Sequence, residues 1–408
     1  MPELLSPAGD LERLEYALAY GADAVYAGMP EFGMRAAAPN FTSDQLAQGA
    51  ALAHSMGKKL YLTLNTTPTN EDISKMPDAI RLAVQAGVDA FIVADLGVLA
   101  LVKKYAPDTD VHLSTQVGIT NYMAAQAAWE MGAKRVVLAR ELSPQDIAII
   151  RDNTPAELEL EAFVHGAMCM SVSGRCLLSH ALNGRSANRG ECTQPCRWKY
   201  HLVEESRPGQ LFEIGENETG SYILNADDLC AAPFLDLVLA AGVDSLKIEG
   251  RGKTFYYVAS VTSAYRRALD AAIRMGEGYQ CPDDVLEELT RTSHRRYSPG
   301  FYFGPEHAIQ NTKKGGYLRD WEVIAVCESC DGELLRCTQR GKFQLGDRLE
   351  ALTPSGQTFE LDPVFILDAE GRPIQSTPHP KMEFTIPCGK KIPPKSILRR
   401  RMREKAEG

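Results

Sequence analysis

The sequence predicts an α/β protein: a (β/α)8, TIM-barrel-like domain followed by a small antiparallel β-barrel. Three observations predict it. Units of amphipathic helix, glycine and short apolar strand recur through the first 250 residues. Nine strand candidates lie at βα spacing there, one more than a barrel needs. From Tyr317 onward the pattern changes to short strands with Gly/Asp turns at roughly ten-residue spacing. A doubly wound sheet is the alternative for the first part.

The barrel strands are expected at Glu3–Ser6, Ala24–Ala27, Leu60–Asn65, Ala90–Ala94, Val111–Gln116, Arg135–Arg140, Leu158–His165, Tyr222–Asn225 and Ser245–Glu249. Their apolar, β-branched runs suit strands buried on both faces. Helices end at Gly21, Gly57, Gly87, Gly132 and Gly242, where glycine supplies the left-handed residue past a helix at little cost. In the first helix Asp10 is the expected N-cap, and Leu11, Leu14, Ala17 and Leu18 form the apolar stripe. Regularity fails from Gly166 to about Gly220, a polar stretch with four Cys that reads as an elaborated βα loop. It returns with a helix at Pro233–Ala241, and a long helix at Tyr256–Met275 completes the barrel. The expected organisation is a barrel over 1–275 with the Cys-rich loop at 166–220, a connecting segment at 276–315, a β-barrel at 316–390 and a basic tail at 391–408.

Composition bounds the function. The chain has 408 residues, 44% hydrophobic, so global disorder is excluded. No apolar run reaches the roughly 18 residues of a membrane helix, and Met1-Pro2-Glu3 opens no basic leader, so a soluble, unexported protein is expected. Ten Cys in a reducing compartment point to metal binding or catalysis rather than disulfides. The net charge of −9 hides a local strip: Lys390 to Lys405 holds eight Lys/Arg against Glu404.

Cys169, Cys176, Cys192 and Cys196 fall within 28 residues, with six, 15 and three residues between them. Four soft thiolates satisfy either Zn²⁺ or an iron–sulfur cluster. A single short spacing counts against a structural zinc site. Cys230 is a competing fourth ligand, otherwise a small apolar residue at a helix start. Cys327, Cys330 and Cys337 straddle an expected hairpin without a clear fourth ligand, and Cys281 and Cys388 show no constellation.

The run Glu161-Ala-Phe163-Val-His-Gly166-Ala-Met-Cys169, then Gly174-Arg-Cys176-Leu-Leu-Ser179, resembles the signature of peptidase family U32. Glu3-Leu-Leu-Ser-Pro-Ala-Gly9, Gly21-Ala-Asp-Ala-Val-Tyr-Ala-Gly28, Leu113-Ser-Thr-Gln116 and Ser245-Leu-Lys-Ile-Glu-Gly-Arg251 are similar to that family too. The resemblance covers essentially the whole chain. It lies nearest the members that hydroxylate tRNA, and implies oxygen-independent conversion of the wobble uridine to 5-hydroxyuridine, with prephenate as co-substrate. It implies a [4Fe–4S] cluster on Cys169, Cys176, Cys192 and Cys196, tRNA as partner and a cytoplasmic location. Other members of the family modify a 23S rRNA cytidine, serve ubiquinone synthesis or carry a collagenase-like peptidase name.

Barrel active sites collect at strand C-termini. Those ends offer Tyr26, Asn65, Asp95, Gln116, Arg140, His165, Asn225, Glu249 and Arg251. Arg140, Arg175 and Arg251 are natural partners for the two carboxylates of prephenate, with Asn65 and Gln116 as further substrate contacts. His165, Glu249 and Arg251 are the catalytic candidates, His165 and Glu249 for proton transfer. Each of these has a structural alternative, for instance Glu249 paired with Lys247 or Arg251. Arg197-Trp198-Lys199-Tyr200 is a basic-aromatic strip fit to stack on an unpaired base. Arg291, His294, Arg295, Arg296 and Tyr297 form another. No GxSxG or HExxH motif supports peptide hydrolysis.

Overall fold

The computed structural model describes residues 1–33, 40–168, 178–185, 191–195, 201–202, 212–213, 227–304, 307 and 317–402. Seven parallel strands follow one another: β1 (Glu3–Pro7), β2 (Ala24–Gly28), β3 (Lys59–Leu64), β4 (Ala90–Val93), β5 (Asp110–Leu113), β6 (Arg135–Val137) and β7 (Glu159–Ala167). After a two-residue-stranded hairpin, β8 (His201–Leu202) with β9 (Phe212–Glu213), comes β10 (Asp228–Cys230), then β11 (Ser245–Ile248). β11 pairs in parallel with both β1 and β7, which closes an eight-stranded barrel. The eighth strand is therefore Ser245–Ile248; the surplus candidate, Tyr222–Asn225, lies outside the described residues.

Helices α1 (Leu11–Ala19), α2 (Ser43–Ser55), α3 (Asn70–Ala86), α4 (Leu96–Tyr105), α5 (Tyr122–Glu130) and α6 (Pro144–Asp152) alternate with the strands. All five junction glycines take positive φ, between 68° and 104°. Asp10 caps α1, its Oδ1 accepting from Arg13 N–H at 2.9 Å. The Cys-rich segment contributes α7 (Leu178–Asn183). Residues 233–241 form a 3-10 turn leading into α8 (Leu235–Ala240), and the long helix α9 (Phe255–Met275) packs beside α1. β10 runs antiparallel to the far end of β7, and β12 (Tyr297–Ser298) pairs with β10. The connecting segment thus belongs to the barrel: it supplies β12 and α10 (Asp283–Thr290), which packs on α9.

Strand alternation decides what fills the barrel. Leu5, Ala24, Tyr26, Tyr61, Ala90 and Ile92 form one interior cluster. Below it lies a charged floor. Glu161 is fully buried, 2.6 Å from Lys247 Nζ and 3.0 Å from Arg135 Nη1. Arg135 also pairs with Glu3 and Glu159, each at 2.6 Å, and Tyr61 donates to Glu3. Burial pushes the Glu161 carboxyl up, but Lys247 and Arg135 outweigh it and hold the group below its ordinary range. Glu161 is structural here, and it, not Glu249, takes Lys247.

The C-terminal unit is an eight-stranded antiparallel sheet with its own core, including Phe343, Phe384, Ile386 and Leu398. Its strands are β13 (Trp321–Asp331), β14 (Leu334–Gln339), β15 (Leu349–Leu352), β16 (Thr358–Leu361), β17 (Ile366–Asp368), β18 (Pro373–Ile374), β19 (Glu383–Pro387) and β20 (Ile397–Arg401), in spatial order β16-β15-β20-β13-β14-β19-β17-β18.

The basic strip at 391–402 is not a tail. Its core is β20, a central strand between β13 and β15. Arg399 has no exposed surface; it binds both Glu288 oxygens and Glu350, all at 2.6 Å, and Tyr256 Oη at 3.1 Å. Arg400 pairs with Glu322 and Asp347, and Lys395 with Glu15. Arg399 neutralises buried Glu288, and with Lys395 it docks the sheet on α1, α9 and α10. An apolar cluster of Tyr16, Tyr20, Tyr256, Ala259, Val326, Leu352 and Ile397 spans the same junction. Residues 403–408 lie outside the described residues.

Candidate active site at the barrel mouth

His165 ends the barrel portion of β7 and is 1% exposed. Its Nδ1 lies 3.3 Å from Tyr265 Oη. That hydroxyl donates to Val164 O at 2.6 Å and accepts from Ala231 N–H at 3.1 Å. Its proton is thus committed, so Nδ1 carries the imidazole proton and Nε2 keeps its lone pair. Nε2 is buried without a hydrogen-bond partner. Burial, then Lys253 and His294, push the imidazole pKa down to about 3, so the ring is neutral. Tyr257, Tyr265 and Tyr297 box it at 5.2–6.0 Å between centroids, and His294 stacks on Tyr297. The arrangement packs one acceptor nitrogen among three aromatic rings.

Glu249 is tied to the same place through its backbone. Its N–H donates to His165 O at 2.9 Å, and its carbonyl accepts from Tyr257 Oη at 3.0 Å. Gly166 makes this possible: at φ 108°, a Cβ there would sit 2.7 Å from Glu249 O. Arg251, 3% exposed, crosses the mouth, and its Nη1 donates to Thr63 Oγ1 at 2.6 Å. Thr63 in turn donates to Ala27 O at 3.0 Å. A Cβ on Gly28 would collide with the Arg251 guanidinium, and one on Gly9 with its carbonyl.

The amides also meet: Asn65 Nδ2 donates to Gln116 Oε1 at 2.8 Å, and Ser114 Oγ lies 3.2 Å from the same oxygen. Arg140 lies flat on Phe163, 3.9 Å from its ring centroid, and donates to Ala167 O at 2.7 Å. It holds the end of β7 and remains half-buried. Two strand-end candidates are structural. Asp95 caps α4, and Tyr26 lies inside the barrel, its hydroxyl on Ile248 O at 3.0 Å. Asn225 and Arg175 lie outside the described residues.

Comparison with known proteins matches these elements. The profile of peptidase family U32 covers residues 9–312, and that of the U32 C-terminal domain covers 319–399. The chain belongs to peptidase family U32. It is similar to tRNA hydroxylation protein P of Escherichia coli, 36% identical over 416 aligned residues, with 91% of each chain covered. It is 36% identical to tRNA hydroxylation protein P1 of Bacillus subtilis, over 98% of this chain and 94% of that one. A collagenase of Porphyromonas gingivalis is also 36% identical, over 74% of this chain and 73% of that one.

The motif residues that first suggested U32 acquire physical roles. Gly9 and Gly28 are clearances for Arg251, Gly166 is a clearance for Glu249, and Glu161 anchors the floor. Cys169, Cys176 and Cys196 lie outside the described residues, as do Arg197, Trp198 and Lys199. Cys192 is exposed, with Ser179 Oγ–H directed at its sulfur from 3.7 Å. Cys230 sits on a strand, not a helix start, in register with His165. It is buried, and burial pushes its thiol up to about 11. The strip at 291–297 is mostly internal. Arg291 pairs with Glu287 and Glu350, His294 and Arg295 are buried, and only Arg296 is exposed.

Sequence reasoning missed Asp227, and Tyr257 and Tyr265, which build the His165 box together with Tyr297, a residue the sequence placed in a basic-aromatic strip instead. The Asp227 carboxyl is buried without a hydrogen-bond partner, and burial raises its pKa. The adjoining Asp227-Asp228 pair ahead of apolar Leu229 was the available signal for it.

Proposed function

We propose that this U32 chain is an RNA-modifying enzyme that hydroxylates the wobble uridine of tRNA at C5, without molecular oxygen, in the cytoplasm. The observation that carries the reading is the neutral, buried His165 with its bare Nε2 inside a mouth crossed by Arg251. The near full-length likeness to two tRNA hydroxylation proteins supports it. In this reading His165 Nε2, the buried acceptor left without a partner, is the group that meets the substrate in the mouth. Asn65 and Gln116 offer the amide edges that a flipped uracil would meet. Arg251 and Arg140 bind the carboxylates of a dicarboxylate co-substrate, prephenate in this reading.

An iron–sulfur cluster is the expected cofactor. Cys192, exposed with a hydroxyl donor on its sulfur, fits a thiolate ligand. The other ligands in this reading are Cys169, Cys176 and either Cys196 or Cys230. Such a cluster supplies redox chemistry or substrate activation. No helix among the described residues is long and apolar enough to cross a membrane.

Mass spectrometry of tRNA nucleosides from a deletion strain tests the function, with 5-hydroxyuridine derivatives expected to disappear. Their persistence in a strain without a paralogue overturns the reading. Iron content after anaerobic purification tests the cofactor. Cys192→Ser should empty the site, and whichever of Cys196→Ser and Cys230→Ser does the same names the fourth ligand. Iron-free wild-type protein holding zinc overturns the cluster. The collagenase likeness favours a peptidase, and one that used His165 as its base would place a hydroxyl or thiol nucleophile on it. Against it, His165 Nε2 has no hydrogen-bond partner.

A further inference from the structure

The C-terminal sheet gathers four cysteines that are scattered in sequence. β13 carries a bulge: Cys327 pairs with Cys337, Ser329 with Arg336 and Cys330 with Leu335, which leaves Glu328 unpaired. In a regular strand residues three apart face opposite sides; the extra residue returns Cys330 to the inward side shared by Leu335, Cys337 and Cys327. Cys388 stands two residues beyond inward-facing Ile386, its N–H bound to Glu333 O at 2.9 Å. Cys327 and Cys337 are each 1% exposed, Cys388 is 7% exposed, and Cys330 is half-buried. Of these thiols, Cys330 and Cys388 are in sulfur–sulfur contact at 3.6 Å, across 58 residues of chain.

We propose that Cys330 and Cys388 are a redox-modification site, oxidised by a low-molecular-weight disulfide to a bond that staples β13 to β19. A disulfide needs about 2.05 Å between sulfurs, so closure asks for an approach of roughly 1.5 Å. The bond would tie the end of β13 to the residue just after β19, beside the turn that leads into β14. A metal site is the poorer reading, since the described residues contain no group of three or more ligands placed to hold an ion.

The step balances as thiol–disulfide exchange. Cys330, the more accessible thiol, gives up its proton and attacks the reagent. The reagent's S–S bond breaks, a mixed disulfide forms on Cys330 and one small thiol leaves with a proton. Cys388 then loses its proton, attacks the Cys330 sulfur and expels the second small thiol. Two protein thiols have given two electrons and two protons to the reagent.

The test uses the full chain in graded mixtures of oxidised and reduced glutathione, quenched by alkylation and mapped by peptide mass spectrometry. A Cys330–Cys388 linked peptide should form, reverse with reductant and raise the unfolding temperature. In Cys388→Ser the glutathione adduct should instead accumulate on Cys330. A Cys330 adduct that persists in the wild type without the link overturns the proposal. So do a link from Cys330 to Cys327, or stoichiometric zinc that Cys330→Ser releases.

Discussion

Arg251 Nη1 donates to Thr63 Oγ1 at 2.6 Å, joining the last barrel strand's exit to the third strand across the mouth. The guanidinium runs over Gly28, where any side chain would occupy its space. Gly28→Ala is therefore expected to displace Arg251 and cut hydroxylation about 100-fold, by misplacement rather than unfolding. Nucleoside mass spectrometry and circular dichroism, taken together, check this. A folded Gly28→Ala protein with full activity would remove Arg251 from the site.

His165→Gln removes the buried lone pair at Nε2 while keeping a polar side chain of similar reach. A rate loss of about 100- to 1,000-fold is expected, the scale of losing one preorganised hydrogen bond in the site. Single-turnover assays on transcribed tRNA measure it. Activity within threefold of wild type, by this measurement, means that His165 only packs the aromatic box.

Lys247 and Glu161 form a buried pair at 2.6 Å in the barrel floor. Lys247→Met strands the Glu161 carboxylate beside Arg135 alone, and a loss of about 3–5 kcal/mol is expected. Lys247→Met with Glu161→Leu removes both charges and should recover much of it, since Arg135 keeps Glu3 and Glu159. Urea denaturation of the three proteins gives the comparison.

His112 is buried against Tyr61, and burial first, then Arg135 and Lys247, hold its pKa well below the ordinary 6.5. The unfolded chain gains a proton near pH 6.5 while the folded chain does not. Stability is thus complete above that pH and falls as pH drops, by about 1.4 kcal/mol per unit for each such group. Equilibrium unfolding from pH 7.5 to 5 should show a shallower fall for His112→Gln than for wild type. Parallel slopes would contradict the assignment.

Much of the fold was legible because it is written locally. The glycine after each helix, the β-branched runs and the Asp10 cap are choices a few residues make by themselves. Strand ends were legible too, and they pointed to His165, Glu249, Arg251, Asn65, Gln116 and Arg140 but equally to Tyr26 and Asp95, whose roles are structural. Other features were hidden for definite reasons. Cys230 preceded apolar residues and read as a helix start, but pairing with β7 makes it a strand. Cys388 looked isolated because its neighbour Cys330 is 58 residues away and turned inward by a bulge.

Charge shows where local reading stops. The sequence by itself determined that 390–405 is basic, that 166–196 is rich in thiols and that Lys247, Glu249 and Arg251 share one strand exit. It could not say which cations face water. Only the tertiary structure decided that Arg399 is buried between Glu288 and Glu350, and that Lys247 points down to Glu161 while Arg251 crosses the mouth. The reason is physical: a side chain's charge belongs to its residue, but its solvation and its partner belong to the surroundings that folding brings to it.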